Sequence, residues 1–370
     1  MEVRDALRAE VLELVGRGAR APADEEGFER LALEVFRYQF AEAEPYRRFC
    51  ERRGRTPDSV ARWTEIPAVP TAAFKAAPLV CGDPGDVEVV FRTSGTTQGP
   101  ENRGAHHVRD LALYEASALV NFQGHVLPDG ARLPMLVLGP TLDSAPDSSL
   151  TWMLERVRRE FGANGSAHFA DADGLRLVEL QAALAESEAG ARPVALLGTA
   201  AAFAHLLEAM DERGRRFRLP PGSRIMETGG FKRRGREIPR EEFYKMLVDG
   251  LGLSAFYCVA EYGMTEMCSQ FYDNVLRERA RGRSPALRYK VVPPWVRTQV
   301  VDPETLEPCA EGRVGLLRHL DLANLDSVAA IQTDDLGVAG VGGFELLGRA
   351  AGAELRGCSI AMDQWLNAQR

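Results

Sequence analysis

Apolar residues recur at helical spacing over residues 5–15 and 25–50, the second stretch through Phe28, Leu31, Leu33, Val35, Phe36 and Phe40, so two amphipathic helices are predicted. They read as a cap or interaction layer on the core. Ile66-Pro67-Ala68-Val69-Pro70-Thr71 is then extended, because each proline disfavours helical backbone in the residue before it. From residue 87 to 260 apolar runs alternate with amphipathic segments. Strands are predicted at 87–91, 133–138, 166–169, 193–197, 224–227 and 255–260, and helices at 110–122, 148–161, 173–185, 201–211 and 240–251. That alternation predicts an α/β architecture with a mainly parallel sheet flanked by helices. After residue 288 the texture changes to short strands at 288–292, 296–301, 312–319, 329–333 and 344–347, with a turn at Asp302-Pro303-Glu304-Thr305. The expected organisation is an N-terminal helical cap (1–80), an α/β nucleotide-binding core (81–287), a smaller β-rich subdomain (288–347) and a short C-terminal segment (348–370).

Two strand-end loops carry the candidate chemistry, and ligands of open α/β sheets sit beyond the carboxyl ends of strands. The first is Phe91-Arg92-Thr93-Ser94-Gly95-Thr96-Thr97-Gln98-Gly99-Pro100, after an apolar run at 87–90 that reads as a buried strand. Gly95 and Gly99 let backbone N–H groups approach an anion closely, and Thr93, Ser94, Thr96 and Thr97 add hydroxyl donors without bulk, which suits phosphate oxygens. Taken alone, such a string is also an ordinary surface turn. The second is Glu261-Tyr262-Gly263-Met264-Thr265-Glu266, again directly after an apolar run. Two such loops can face one ligand.

Composition narrows the classes. The chain of 370 residues has 45% hydrophobic and 26% charged residues, as expected for a globular protein of two to three domains or subdomains. Lys plus Arg number 45 against 53 Asp plus Glu, and the net charge of −8 gives nucleic acid no overall reason to bind. The basic stretches at 231–240 and 277–288 read as solvated faces or loops. Cysteines 50, 81, 258, 268, 309 and 358 show neither C-x-x-C nor zinc-ligand spacing, so neither a disulfide framework nor a structural metal is expected, and a reducing cytoplasm fits. The charged N-terminus is no signal sequence, and no apolar run approaches the ~18 residues of a membrane span. Gly230-Phe231-Lys232-Arg233-Arg234-Gly235 continues with Arg236-Glu237 and so is no Walker loop. Glycines 337, 340, 342 and 343 read as a glycine-rich turn without dinucleotide-binding context.

The S-G-T-T-x-G and Y-G-x-T-E loops, with Thr333-Asp334-Asp335-Leu336 and Gly348-Arg349, resemble the adenylate-forming superfamily of acyl-CoA synthetases, luciferases and peptide-synthetase adenylation domains. Within it, residues 66–75, Glu227-Thr228-Gly229-Gly230-Phe231-Lys232, residues 261–272 and Leu355-Arg356-Gly357-Cys358-Ser359 resemble the acyl-protein synthetases of bacterial luminescence, the long-chain fatty-acid protein ligases. The resemblance runs from about residue 60 to the C-terminus. It implies an adenylate-forming large domain, with ATP and Mg²⁺ as cofactors. Thr93, Ser94, Gly95, Thr96 and Thr97 would hold the ATP phosphates. Tyr262, beside Gly263, would stack on adenine, Thr265 would contact the α-phosphate and Glu266 would hold Mg²⁺. Asp335 would bind the ribose hydroxyls and Arg349 the ribose or a phosphate. Gly229, Gly230 and Phe231 would line the adenine side, or form a plain strand-end turn.

Two departures from the wider pattern follow from the same comparison. The phosphate loop lacks the Pro-Lys of many relatives, so Arg103 or Lys232 would supply positive charge. About 21 residues follow Arg349, so the mobile C-terminal domain with its catalytic lysine is expected to be nearly absent. Cys358 matches the cysteine that this family acylates, although a lone cysteine is otherwise a small core residue. The function implied is a two-step ligase: a carboxylic acid, in this family a fatty acid, becomes acyl-AMP and then a thioester on Cys358, for hand-over to an acyl-CoA/fatty-acid reductase with an acyltransferase as a further partner. A phenylacetate-type acyl-CoA ligase and a nucleotide-binding scaffold without turnover stay open as alternatives. His106, His107 and His205 could assist the first step, but read first as core or surface residues.

Overall fold

The computed structural model describes residues 2–93, 103–229, 232–233, 236–350 and 355–369, with the side chains of 232–237 and 355–361 outside that description. It comprises two compact units that interleave along the chain, one of Met1–Asn121, Met264–Phe271 and Tyr289–Arg370, the other of Phe122–Gly263 and Tyr272–Arg288.

The second unit is the α/β layer that the alternation predicts. Cys258–Tyr262, Arg224–Thr228, Ala195–Thr199, Met135–Leu138 and Ala167–His168 lie side by side in that order, every pairing parallel. Met135–Leu138 and Cys258–Tyr262 are buried at every position, as a sheet covered on both faces requires. One cover is the helix set Leu177–Ala189, Ala200–Glu212 and Arg240–Leu251, whose Leu184, Phe203, Leu207 and Leu247 pack with Leu196 and Ile225. Each such side chain contributes about 1.5–3 kcal/mol by leaving water. The helices begin and end where local chemistry says. Ser148 and Thr199 accept the amides of Thr151 and Ala202 at the starts of Ser149–Phe161 and Ala200–Glu212, and Gly252 closes Arg240–Leu251 in a left-handed conformation, φ 69°. The helix predicted from 173 begins later, at Leu177, because Gly174, at φ 111°, turns an Ala170–Asp171/Gly174–Leu175 hairpin first.

The first unit holds the N-terminal helices and the β-rich part. Glu2–Gly16 matches its prediction, but 25–50 is two helices, Glu25–Glu42 and Glu44–Arg52, broken at extended Ala43 (φ −103°) with Pro45 in the first turn of the second. A proline has no N–H to continue the first helix, so it starts a new one. Val296–Val301, Val314–Asp321, Ala330–Gly340 and Gly343–Arg349 form an antiparallel meander, and Val69–Pro70 runs parallel to the third strand at Ile331 and Gln332. The third strand thus takes in Gly337 and Gly340 of the segment expected to be a glycine-rich turn, and the turn itself is confined to 341–342, with Gly342 at φ 78°. Gly337 lies in the strand because a Cβ there would meet Leu317 Cδ2 at 2.6 Å and the Glu345 carbonyl at 2.7 Å. The run read as a buried strand at 87–91 is also different. Val89–Arg92 pairs antiparallel with Ala105–Val108 in a two-stranded ribbon, with Phe91 buried and Val89 and Val90 half-buried.

Candidate functional site

The ribbon Val89–Arg92/Ala105–Val108 delivers the first candidate loop. Thr93 closes its mouth, its amide donating to the Gly104 carbonyl at 3.0 Å and its Oγ1 accepting the Gly104 amide at 2.8 Å. A hydroxyl that accepts one bond still has its own hydrogen to donate. Ser94, Gly95, Thr96 and Thr97 lie outside the described residues. Arg103, one of the cations expected to serve phosphate, donates to the carbonyls of Thr93 and Arg92 and so clasps the ribbon; Lys232 is described in its backbone alone. Lys75 is a second cation beside the mouth, since a Cβ at Gly104 would lie 3.6 Å from its Cγ.

The same unit contains Thr265, half-buried, and Glu266, 8% exposed. Three polar side chains fix the main chain here. His106 bonds the Thr265 carbonyl at 2.7 Å, Asn324 donates to the Glu266 carbonyl at 2.7 Å, and Asp321 accepts from the Cys268 amide at 3.1 Å and the Ser269 hydroxyl at 2.7 Å. Burial pushes the Glu266 carboxyl up to about 7, its own backbone amide and the charges of Arg349 and Lys75 pull the other way, and Asp334 adds to the rise. Among the described residues no group of three His, Cys, Asp or Glu could hold a metal. One buried carboxylate fits Mg²⁺ in its usual mode, held by one or two carboxylates and the phosphates of a nucleotide, and the two cations nearby suit those phosphates. Asp335 and Arg349 face each other across the third and fourth meander strands, Arg349 Nε lying 3.7 Å from Asp335 Oδ1, with Asp335 half-buried and the Arg349 side chain 81% exposed. The fold therefore gathers Thr93, Thr265, Glu266, Asp335 and Arg349 in one unit.

Gly229, Tyr262 and Gly263 belong to the second unit, at the carboxyl ends of its parallel strands. Gly229 has φ 88°, a left-handed conformation that explains a glycine directly after the strand. Tyr262 ends its strand 8% exposed, and beside it Thr228 donates its hydroxyl to the Glu261 carboxylate across the parallel pair. Gly230 and Phe231 lie outside the described residues. Cys358 falls in the first turn of Leu355–Gln369, a helix of the first unit, and its side chain lies outside the description. Sequence reasoning missed Lys75, Asn324 and the Thr228–Glu261 bond, and gave His106 no more than a general assisting part beside a core or surface role. Lys75 stood within a quoted motif; a lone Asn or His carries no such signal.

The described structure is similar to 2-hydroxyisobutyryl-CoA ligase in its postadenylation state with R3-HIB-AMP bound, at a TM-score of 0.63 and 15% identity, covering 90% of this chain and 69% of that one. The fold is that of the adenylate-forming ligases. The family model for acyl-protein synthetase, LuxE, matches residues 21–367, and the chain belongs to that family of ligase enzymes. Among named relatives, the long-chain-fatty-acid–luciferin-component ligase of Vibrio harveyi is 25% identical over 353 residues, 92% of this chain and 88% of its own length. That of Aliivibrio fischeri is 25% identical over 317 residues, 84% and 78% respectively.

Proposed function

We propose that this enzyme uses ATP to activate a long-chain fatty acid as acyl-AMP and then transfers the acyl group to its own Cys358. The acid's carboxylate oxygen attacks the α-phosphorus and the bond to pyrophosphate breaks. The Cys358 thiolate then attacks the acyl carbonyl, the bond to AMP breaks, and a thioester remains for a reductase partner. Thr93 with Ser94, Gly95, Thr96 and Thr97 would bind phosphates, and Lys75 would supply the cation that the loop lacks. Thr265 would contact the α-phosphate, Asp335 the ribose, Arg349 ribose or phosphate, and Tyr262 with Gly229, Gly230 and Gly263 the adenine. Mg²⁺ at Glu266 would neutralise phosphate charge. The protein's part is to align the carboxylate with the α-phosphorus and offer fixed donors to developing charge, with little side-chain proton transfer.

The observation that supports this most is the buried Glu266 carboxylate beside Thr265, in the company of Lys75, Asp334 and Arg349. The family membership and the relatives' names support the fatty acid. Intact-mass spectrometry after incubation with ATP, Mg²⁺ and a panel of acids tests it. A hydroxylamine-sensitive adduct of one acyl group is expected with long-chain acids. Acyl-CoA formed from added coenzyme A with no protein adduct would replace this reading by an acyl-CoA ligase, and absence of acid-dependent pyrophosphate exchange would overturn adenylation itself.

A further inference from the structure

Glu266 is held on both sides by buried side chains from distant segments. His106, 1% exposed, presents Nδ1 to the Thr265 carbonyl at 2.7 Å. A carbonyl oxygen can only accept, so Nδ1 carries the hydrogen and donates it. Burial pushes the His106 pKa down to about 4, so the ring stays neutral near pH 7. On the far side Asn324, also 1% exposed, donates Nδ2–H to the Glu266 carbonyl at 2.7 Å, and its main-chain carbonyl accepts Gln39 Nε2 at 2.9 Å. These two carbonyls belong to the peptide planes that flank the Glu266 Cα. Because peptide units are planar, holding both planes restrains φ and ψ between them and therefore the direction of the Glu266 Cα–Cβ bond from which the carboxylate projects. His106 also sits opposite Phe91 in the ribbon that ends at Thr93, so its ring links the phosphate-loop ribbon to the Glu266 turn.

We propose that His106 is a positioning residue, opposed by Asn324, that aims the Glu266 carboxylate at a divalent cation and keeps it in register with the ribbon that ends at Thr93. The proposal rests on the reading of Glu266 as the metal-facing carboxylate. Three substitutions separate this role from packing. His106→Leu removes the donor, His106→Asn restores an N–H at the place of Nδ1–H, and His106→Gln puts it at the place of Nε2. Mn²⁺ affinity is read by electron paramagnetic resonance on the full chain with a non-hydrolysable ATP analogue, analogue affinity is read in EDTA, and acid-dependent pyrophosphate exchange is measured alongside. His106→Leu is expected to weaken Mn²⁺ roughly 10-fold and lower the exchange kcat roughly 10- to 100-fold. Metal-free analogue affinity and the KM for the acid should stay within about 2-fold, since neither depends on the carboxylate's direction. His106→Asn should recover most of both losses and His106→Gln should not; if His106→Leu fails to fold, the Asn and Gln pair decides. Wild-type Mn²⁺ affinity in His106→Leu, or in His106→Gln where that pair decides, overturns the inference, as does equal loss in all variants together with loss of metal-free nucleotide binding. Wild-type Mn²⁺ affinity in Glu266→Gln instead overturns the reading of Glu266 and the inference with it.

Discussion

Glu266 has a carboxyl that its burial moves from the ordinary 4.5 to about 7. A raised carboxyl pKa in the folded state means that its contribution to stability is fully present below about pH 4.5 and is lost as the pH climbs through about 7. The full span corresponds to about 3 kcal/mol. Glu266→Gln removes that dependence, so without ligands its stability relative to wild type should rise by up to about 3 kcal/mol between pH 4.5 and 8, read by urea unfolding at several pH values. A difference that does not change with pH would mean that the carboxyl is solvated and not at the place described. The same substitution should lower acid-dependent pyrophosphate exchange strongly when Mg²⁺ is limiting, because an amide replaces a charge facing a divalent cation. Glu266 was legible in the sequence because it stands in a motif with Tyr262 and Thr265. Its clamps were not, since His106 and Asn324 lie 160 and 58 residues away and act through one main-chain carbonyl each, which no spacing encodes.

At the scale of elements, periodicity located most helices to within a few residues, and Val296–Val301 and Arg240–Leu251 fall on their predicted spans. It failed where the deciding contact comes from elsewhere. Gly337 is such a place, with Leu317 and the Glu345 carbonyl leaving no room for a side chain. Gly337→Ala should therefore destabilise by about 1–3 kcal/mol through overpacking, although an exposed turn of the expected kind would tolerate it; thermal or urea unfolding separates the two. The C-terminal helix Leu355–Gln369 is anchored by its last turns. Trp365 and Ala368 are buried, Trp365 lies 5.4 Å from the Phe49 ring, Gln369 Nε2 donates to the Pro45 carbonyl at 2.9 Å, and Arg53 donates to Gln364. Removing Trp365 as Trp365→Ala costs about 3–5 kcal/mol of packing, more than one terminal helix has in reserve, so that helix should open locally before the rest unfolds. Hydrogen exchange over 355–369 is expected to speed up while the parallel sheet keeps its protection. Unchanged exchange there would show that Trp365 does not anchor the helix.

Across the whole molecule, the order of the motifs along the chain was readable, whereas the interleaving of Met264–Phe271 with the first unit was not, because it depends on partners such as Asp321 and Asn324 that lie far off in sequence. The choice of acyl acceptor is also a whole-molecule question, since it turns on which of six thiols can react. Burial pushes Cys50 and Cys258 up to about 12, Cys81 and Cys268 well above the ordinary thiol range, and Cys309 upward as well. A thiolate is the reacting form, so these five are suppressed as nucleophiles near pH 7. Cys358, carried on a helix whose far end is docked, is the acceptor that the family resemblance names. A thiol is intrinsically a strong nucleophile, while a serine hydroxyl needs an activating base. Cys358→Ser is therefore expected to keep acid-dependent pyrophosphate exchange within about 2-fold and to release acyl-AMP, yet to form no covalent acyl-protein. Wild-type labelling should rise with pH as the thiolate fraction grows, and treatment with hydroxylamine should remove the label. Peptide mapping of the adduct is the deciding measurement. A label on Cys258, Cys309 or any other residue, or one that still accumulates in Cys358→Ser, would remove Cys358 as the acceptor and end the mechanism in the form proposed.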